Sequence, residues 1–300
     1  MPKSKVLQKI ESLDPKKDAW EIVQLTVFYE FPWDFNRALE LALYKTYAVP
    51  SISKILHQSK EFEKHTQKRY DDTDLILSEI IENGIKEGRG LQALQQMNWI
   101  HSNYKISNED YLYVLSTFIF DTAKWINKYG YRKLTHNEEL AGFYVWKDIG
   151  EKMNIKDIPD SIIEFRKYYD DYEKEHFQFA ETNAKVARFT EDLMLGWYMP
   201  KFMFNAARPF LHAVMEPHLL KAFNHKEPSA AMRALATSAL RARSKAASLI
   251  PRTTPYIRTR DHKHKAYPNG YQLEELGPAK LMNSPKCPFH KMKDTLKNAV

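Results

Sequence analysis

Apolar positions recur every three to four residues along almost the whole chain, the period that gathers them on one face of an α-helix. The pattern predicts helices over 4–13, 17–30, 33–47, 51–65, 72–83, 89–102, 108–129, 136–153, 161–180, 182–199, 206–222 and 229–249. Several starts are marked. Thr135 with Glu138 and Ser161 with Glu164 fit capping boxes, and Ser107 or Asn108 can cap the helix that opens at Glu109. Gly84, Gly130 and Pro200 mark stops. Only nine glycines and no alternating Val/Ile/Thr runs speak against sheets. The fold class this predicts is all-α, a single globular domain. Its helical body covers 1–255, and 256–300 forms an irregular C-terminal tail packed on it, with the last twenty residues disordered. The segment 108–129 is apolar on most faces, which makes it a central helix. Thr117, Phe118 and Asp121 on it serve either as core alone or as the wall of a pocket.

The chemistry concentrates between residues 68 and 101. Arg69 and Thr73 are four apart, on one face of a helix. A second helical stretch, Gly90–Ile100, ends at His101. Consecutive helices usually pack antiparallel, so the start of the first lies near the end of the second. A cation, a hydroxyl and an imidazole then converge. That is the set with which a helical protein holds a haem: a nitrogen ligand for iron and a cation for a propionate.

The surrounding words carry a resemblance. "KRYDDTDLILSEIIENG", "ALQQMNWIHSNYKISNEDYLYVLSTFIFD" and, much later, "RTRDHKHKAYPNGYQLEELGP" resemble the MpaB-like oxygenase family. That family shares its catalytic domain with the rubber oxygenases, or latex-clearing proteins. The likeness runs from about Trp20 to Pro278. Its most specific parts are Arg69–Thr73, "MNWIH" and the YPxGYxxEELGP stretch. The resemblance implies a b-type haem in a globin-like core, with His101 as proximal iron ligand. Arg69 and Thr73 would line the pocket as catalytic and cofactor-binding residues, joined by Met97, Thr117 and Phe118. The implied reaction inserts both atoms of O₂ across a C=C bond of an apolar, isoprenoid-like substrate. Two departures bear on the distal side. The latex-clearing branch carries a lysine between its Arg and Thr, whereas Asp72 precedes Thr73 here, and Leu115 occupies the place of a second histidine. A haem-binding sensor or carrier without turnover, and a cofactor-free helical interaction protein, are the alternatives.

Composition narrows the rest. The one cysteine, Cys287, excludes an internal disulfide and cysteine-based zinc or iron–sulfur sites. The start, "MPKSKVLQKIESLDPKKD", is charged and without an apolar core, and no stretch approaches the roughly 18 apolar residues of a span. A cytoplasmic location is expected, with contact to a membrane limited to its surface. Charge is uneven: residues 1–200 carry 27 basic and 32 acidic side chains, residues 201–300 carry 18 and 6. The basic helix 229–249 fits a solvated face, or a lean on anionic headgroups, better than nucleic acid. Glu173 and His176 show the Glu-x-x-His spacing of di-iron helices, but no second copy exists. "DHKH", Asp261–His264, is a weak surface-metal candidate because of its lysines.

Overall fold

The structure is a computed structural model that describes residues 4–250 and 252–289. It is all-α, as the periodicity predicts, and no strand occurs among the described residues. The helices are α1 (Lys5–Ser12), α2 (Ala19–Leu25), α3 (Pro32–Thr46), α4 (Pro50–Ser59), α5 (Glu61–Lys64), α6 (Thr66–Asn83), α7 (Gly88–Ser102) and α8 (Asn108–Tyr129). They continue with α9 (His136–Lys152), α10 (Ile162–His176), α11 (Glu181–Gly196), α12 (Phe204–His212), α13 (Pro217–Ala222), α14 (Ala230–Ser248), α15 (Arg258–Asp261) and α16 (Ala279–Met282).

Three predicted helices differ most, each for a local reason. The stretch 51–65 breaks at Lys60, whose φ of 63° is left-handed. The stretch 206–222 breaks between His212 and Pro217, because proline lacks an N–H and starts a new helix instead. The helix read as 72–83 begins earlier, at Thr66. Its first two turns are too polar to show an apolar period, and their carboxylates are paired with protein groups. Of the last twenty residues, those up to 289 are described: Met282 and Cys287 are buried. The expectation for 290–300 lies outside the described residues.

Two compact units emerge. The first comprises the described residues of 1–58 and 107–256. Its centre is α8, with fifteen of twenty-two residues buried. Ser107 caps α8 by accepting from the Asp110 N–H, and Thr135 and Glu138 form the capping box of α9. A charged knot sits in this apolar body. Lys45 of α3 is 2% exposed, and its Nζ lies 2.9 Å from Asp121, 2.6 Å from Glu173 and 2.5 Å from the Tyr169 hydroxyl. Burial alone would raise the Glu173 carboxyl. The His218 contact and the Lys45 ammonium overcome that and hold it at about 2. Glu173 is thus taken up by Lys45 and His218, while His176 contacts the Tyr172 carbonyl. The Glu-x-x-His pair does not assemble a shared site.

The second unit comprises the described residues of 59–106 and 257–300. Helices α6 and α7 form a close hairpin. A Cβ on Gly90 would stand 1.8 Å from the Gly84 carbonyl oxygen, so this position takes only glycine. One face of α6 carries a row of carboxylates, with Asp71, Asp72 and Glu79 buried. The segment after residue 256 answers them one by one. Arg258 Nε donates to both oxygens of Asp74 at 2.7 and 2.9 Å, and His264 Nε2 lies 2.9 Å from the same group. The Ala266 N–H donates to Asp71 at 2.7 Å. Tyr267 donates to Asp72, Tyr271 to Glu79 at 2.6 Å, and Thr259 to Glu82. From the other side, Lys68 donates to the Gly277 carbonyl at 2.8 Å and Gln96 of α7 to those of Leu273 and Leu276 at 2.5 Å. Gly277, at φ 122°, passes so near α7 that a Cβ would meet Ile100 at 2.7 Å. The segment 258–278, which ends in the YPxGYxxEELGP stretch, is therefore a strap across the hairpin.

Removing one partner of a buried pair leaves an uncompensated charge. Arg258 and Asp74 side chains are 10% and 13% exposed. Arg258→Ala should lower the unfolding free energy by about 3 kcal/mol, measured by denaturant titration. Arg260→Ala, whose partner is its exposed neighbour Asp261, should leave the midpoint unchanged. Equal effects of the two would contradict the strap.

Candidate functional site

Helices α6 and α7 bring four of the six sequence-predicted residues into one unit. Arg69 lies one turn into α6, with its amide donating to the His65 carbonyl at 2.8 Å. Its guanidinium donates to the Thr73 hydroxyl and rests on the Phe62 ring, 5.5 Å from the centroid. The Thr73 hydroxyl donates in turn to the Arg69 carbonyl at 3.0 Å. This i, i+4 pair fixes the guanidinium along the helix and matches the spacing read from the sequence.

His101 lies in the last turn of α7, where the helix still has apolar residues behind it. Leu94 is 1% exposed and Met97 half-buried. Atoms crowd the imidazole although part of its surface stays open. Burial pushes its pKa down to about 4, and the Arg69 charge pushes the same way. The ring is therefore neutral at physiological pH, with a lone pair on one nitrogen. Arg69 also acts on Tyr104, three residues past His101. There burial raises the phenol and the guanidinium opposes it. Sequence reading missed Tyr104. Its only signal was the three-residue spacing from a ligand-type histidine.

Thr117 and Phe118 belong to α8 in the first unit. Thr117 is fully buried and donates to the Val114 carbonyl at 2.7 Å. Phe118 stacks on Trp146 with centroids 4.5 Å apart and lines an apolar cavity with Val27, Phe35, Ile119 and Ala123. Asp72, in the place of the lysine of the latex-clearing branch, is engaged with its own helix. Lys68 donates to both of its oxygens at 2.9 and 2.8 Å. Burial raises its carboxyl above the usual range, against the pull of Lys68. An Asp here serves the strap.

The donor set suits haem chemically. A neutral imidazole can coordinate iron, a guanidinium can pair a propionate, and a hydroxyl fixes that guanidinium. Three other groups bring histidine and carboxylate atoms together among the described residues: Asp74–His262–His264, Glu173–Glu216–His218 and Glu191–His212–His225. At Asp74 the cation present is Arg258, so "DHKH" contributes to the strap.

Comparison with known proteins finds similar chains among fungal oxygenases. The relatives include the ER-bound oxygenase mpaB′ of Penicillium brevicompactum, 24% identical over 345 aligned positions, which span 87% of this chain and 81% of that protein. The ER-bound oxygenase mpaB of Penicillium roqueforti (strain FM164) is 27% identical over 229, spanning 70% and 76%. The mpaB of Penicillium brevicompactum is 32% identical over 132, spanning 42% and 34%. Residues 40–246, which include Arg69, Thr73 and His101, match the model of the family described as ER-bound oxygenase mpaB/B′/rubber oxygenase, catalytic domain. With about two thirds of its length inside that match, the chain belongs to this oxygenase family.

Proposed function

We propose that the protein is a haem b-dependent oxygenase that cleaves a C=C bond in an apolar, isoprenoid-like substrate. The observation that carries this is His101, kept neutral by burial beside the Arg69 cation on the neighbouring helix. His101 would hold the iron through its neutral ring nitrogen. Arg69 would pair a propionate, and Thr73 would hold that guanidinium in line. Leu94 and Met97 would supply an apolar wall that keeps water off the ring. When bound, haem supplies the redox chemistry through which O₂ reacts with an unsaturated carbon pair. The overall change is balanced: one alkene and one O₂ give two carbonyl compounds.

Protein produced with adequate haem should show a Soret band and consume O₂ with an unsaturated isoprenoid lipid. A Soret band without O₂ consumption would contradict turnover, and a colourless protein would contradict the cofactor. Arg69→Lys should weaken haem binding about tenfold, because lysine cannot form the planar two-point contact with a carboxylate. Unchanged affinity would remove the propionate role.

The imidazole offers a second check. A depressed pKa means that the unfolded chain takes the proton first. Acidification from about 6.5 to about 4 therefore disfavours the folded state at His101. In haem-free protein the His101 ring resonance should titrate near pH 4 by NMR. A midpoint near the free-histidine value would contradict its burial.

Among the described residues no helix is long and apolar enough to cross a membrane. Several arginines of α14 are engaged with the protein. Arg243 pairs with Asp34 at 2.9 Å, Arg241 donates to the Lys128 carbonyl and Arg233 to the Met215 carbonyl. These contacts support a structural role for the basic helix. Surface contact with a bilayer would then rest on the exposed Tyr198 and Phe202, 77% and 85% accessible, beside Lys201. Phe202→Ser should reduce co-sedimentation with anionic vesicles more than Arg241→Ala. The reverse order, or no pelleting of the unaltered protein, would rule this contact out.

A further inference from the structure

The charged groups of the first unit include one that no part of the proposed reaction uses. Glu191 of α11 is 1% exposed. Its Oε1 accepts from the Tyr44 hydroxyl at 2.6 Å and lies 3.0 Å from His212 Nε2 and 2.9 Å from His225 Nε2. Tyr44 Oη is 3.3 Å from His225 Nε2. The two imidazoles stack with centroids 4.1 Å apart and planes at 16°. Both present the same nitrogen to the same oxygen. Tyr44, Glu191 and His212 come from α3, α11 and the end of α12, and His225 follows α13.

Two features separate this group from an ordinary hydrogen-bonded core cluster. The first is stoichiometric. A carboxylate oxygen offers about two lone-pair directions, yet three side chains converge on Oε1. The second is geometric. The ligand atoms of Glu191, His212 and His225 all lie within 4.8 Å of one another, and the Tyr44 hydroxyl stands 2.6 Å from Glu191 Oε1 and 3.3 Å from His225 Nε2. Donors at about 2.0–2.1 Å from a tetrahedral ion stand about 3.3 Å apart. The other carboxylate oxygen, Oε2, accepts from Arg208 Nη1 at 2.5 Å, and Arg208 continues to Asp192 at 2.6 Å. That contact fixes the carboxylate's orientation from behind, as an outer-shell partner does for a ligand.

The other two groups lack this arrangement. At Asp74 both oxygens receive Arg258. At Glu173 the Lys45 ammonium bridges both carboxylates of the group, 2.6 Å from Glu173 Oε1 and 3.5 Å from Glu216 Oε2. In each, a side-chain cation already stands where an ion would go. At Glu191 the converging atoms are a carboxylate oxygen, two imidazole nitrogens and a phenol oxygen, a set that suits borderline divalent metals. We infer that Glu191, His212 and His225, with the Tyr44 hydroxyl as fourth donor, form a buried site for a divalent transition-metal ion of the zinc type. The site ties α3, α11 and α12 together and is independent of the haem reading.

The test is zinc binding to chelator-treated, haem-free full-length protein at neutral pH, followed by calorimetry and by metal analysis after gel filtration. One zinc per chain is expected, together with a rise in Tm, because a ligand that binds only the folded state stabilises it. Cobalt in place of zinc should give the visible bands of a tetrahedral site. His225→Ala and Glu191→Gln should lose more than the roughly 10- to 100-fold in affinity that even an outer-shell change costs. His264→Ala and His218→Ala, in the other two groups, should bind as the unaltered protein does. If Glu191→Gln fails to fold, His225→Ala at the edge of the cluster and the cobalt spectrum of the unaltered protein decide the matter. Absence of stoichiometric zinc, zinc binding undiminished in His225→Ala, or its loss in His264→Ala would each overturn the assignment.

Discussion

The row of carboxylates on α6 constrains the second unit more than any other feature. A buried carboxylate without partners is costly, and α6 buries Asp71, Asp72 and Glu79 on one side. The chain meets that demand with residues almost two hundred positions later: Arg258, His264, Tyr267 and Tyr271. The same α6 carries Arg69 and Thr73, and the adjoining α7 carries His101 and receives the strap through Gln96. The polar contacts that hold the strap thus also fix the two helices from which the proposed haem ligand and propionate clamp project.

How much of this was legible in the sequence depended on the kind of signal. Helix α8 announced itself by an apolar surface on nearly every face, and its cap Ser107 stood at the expected boundary. The Arg69–Thr73 pair was legible because an i, i+4 spacing is local and the helix enforces it. The start of α6 was not, because its first turns satisfy their charges through distant residues and show no apolar period. The strap was legible only as a string of letters. Nothing local reveals that the tyrosines of YPxGYxxEELGP reach Asp72 and Glu79, or that Gly277 must clear Ile100.

Buried charge in the first unit was the least legible. Lys45 reads as a surface residue of an amphipathic helix, yet it lies beside Asp121, Glu173 and Tyr169 from two other helices. Glu191 likewise gave no sign, since its histidines stand 21 and 34 positions away in separate segments. Long-range polar convergence follows from topology, which periodicity does not encode. The family match supplies an oxygenase framework, and within it this chain keeps a histidine neutral, fixes a guanidinium with a hydroxyl and answers its buried charges at long range.

The central claim is that His101 holds the haem iron as a neutral imidazole. The most direct measurement is resonance Raman spectroscopy of the reduced, haem-loaded protein. An iron–histidine stretching band is expected, absent from His101→Gly and restored when imidazole is added to that variant. A band that persists in His101→Gly without added imidazole would show that another residue holds the iron, and the account of the α6–α7 hairpin as the haem cradle would be wrong.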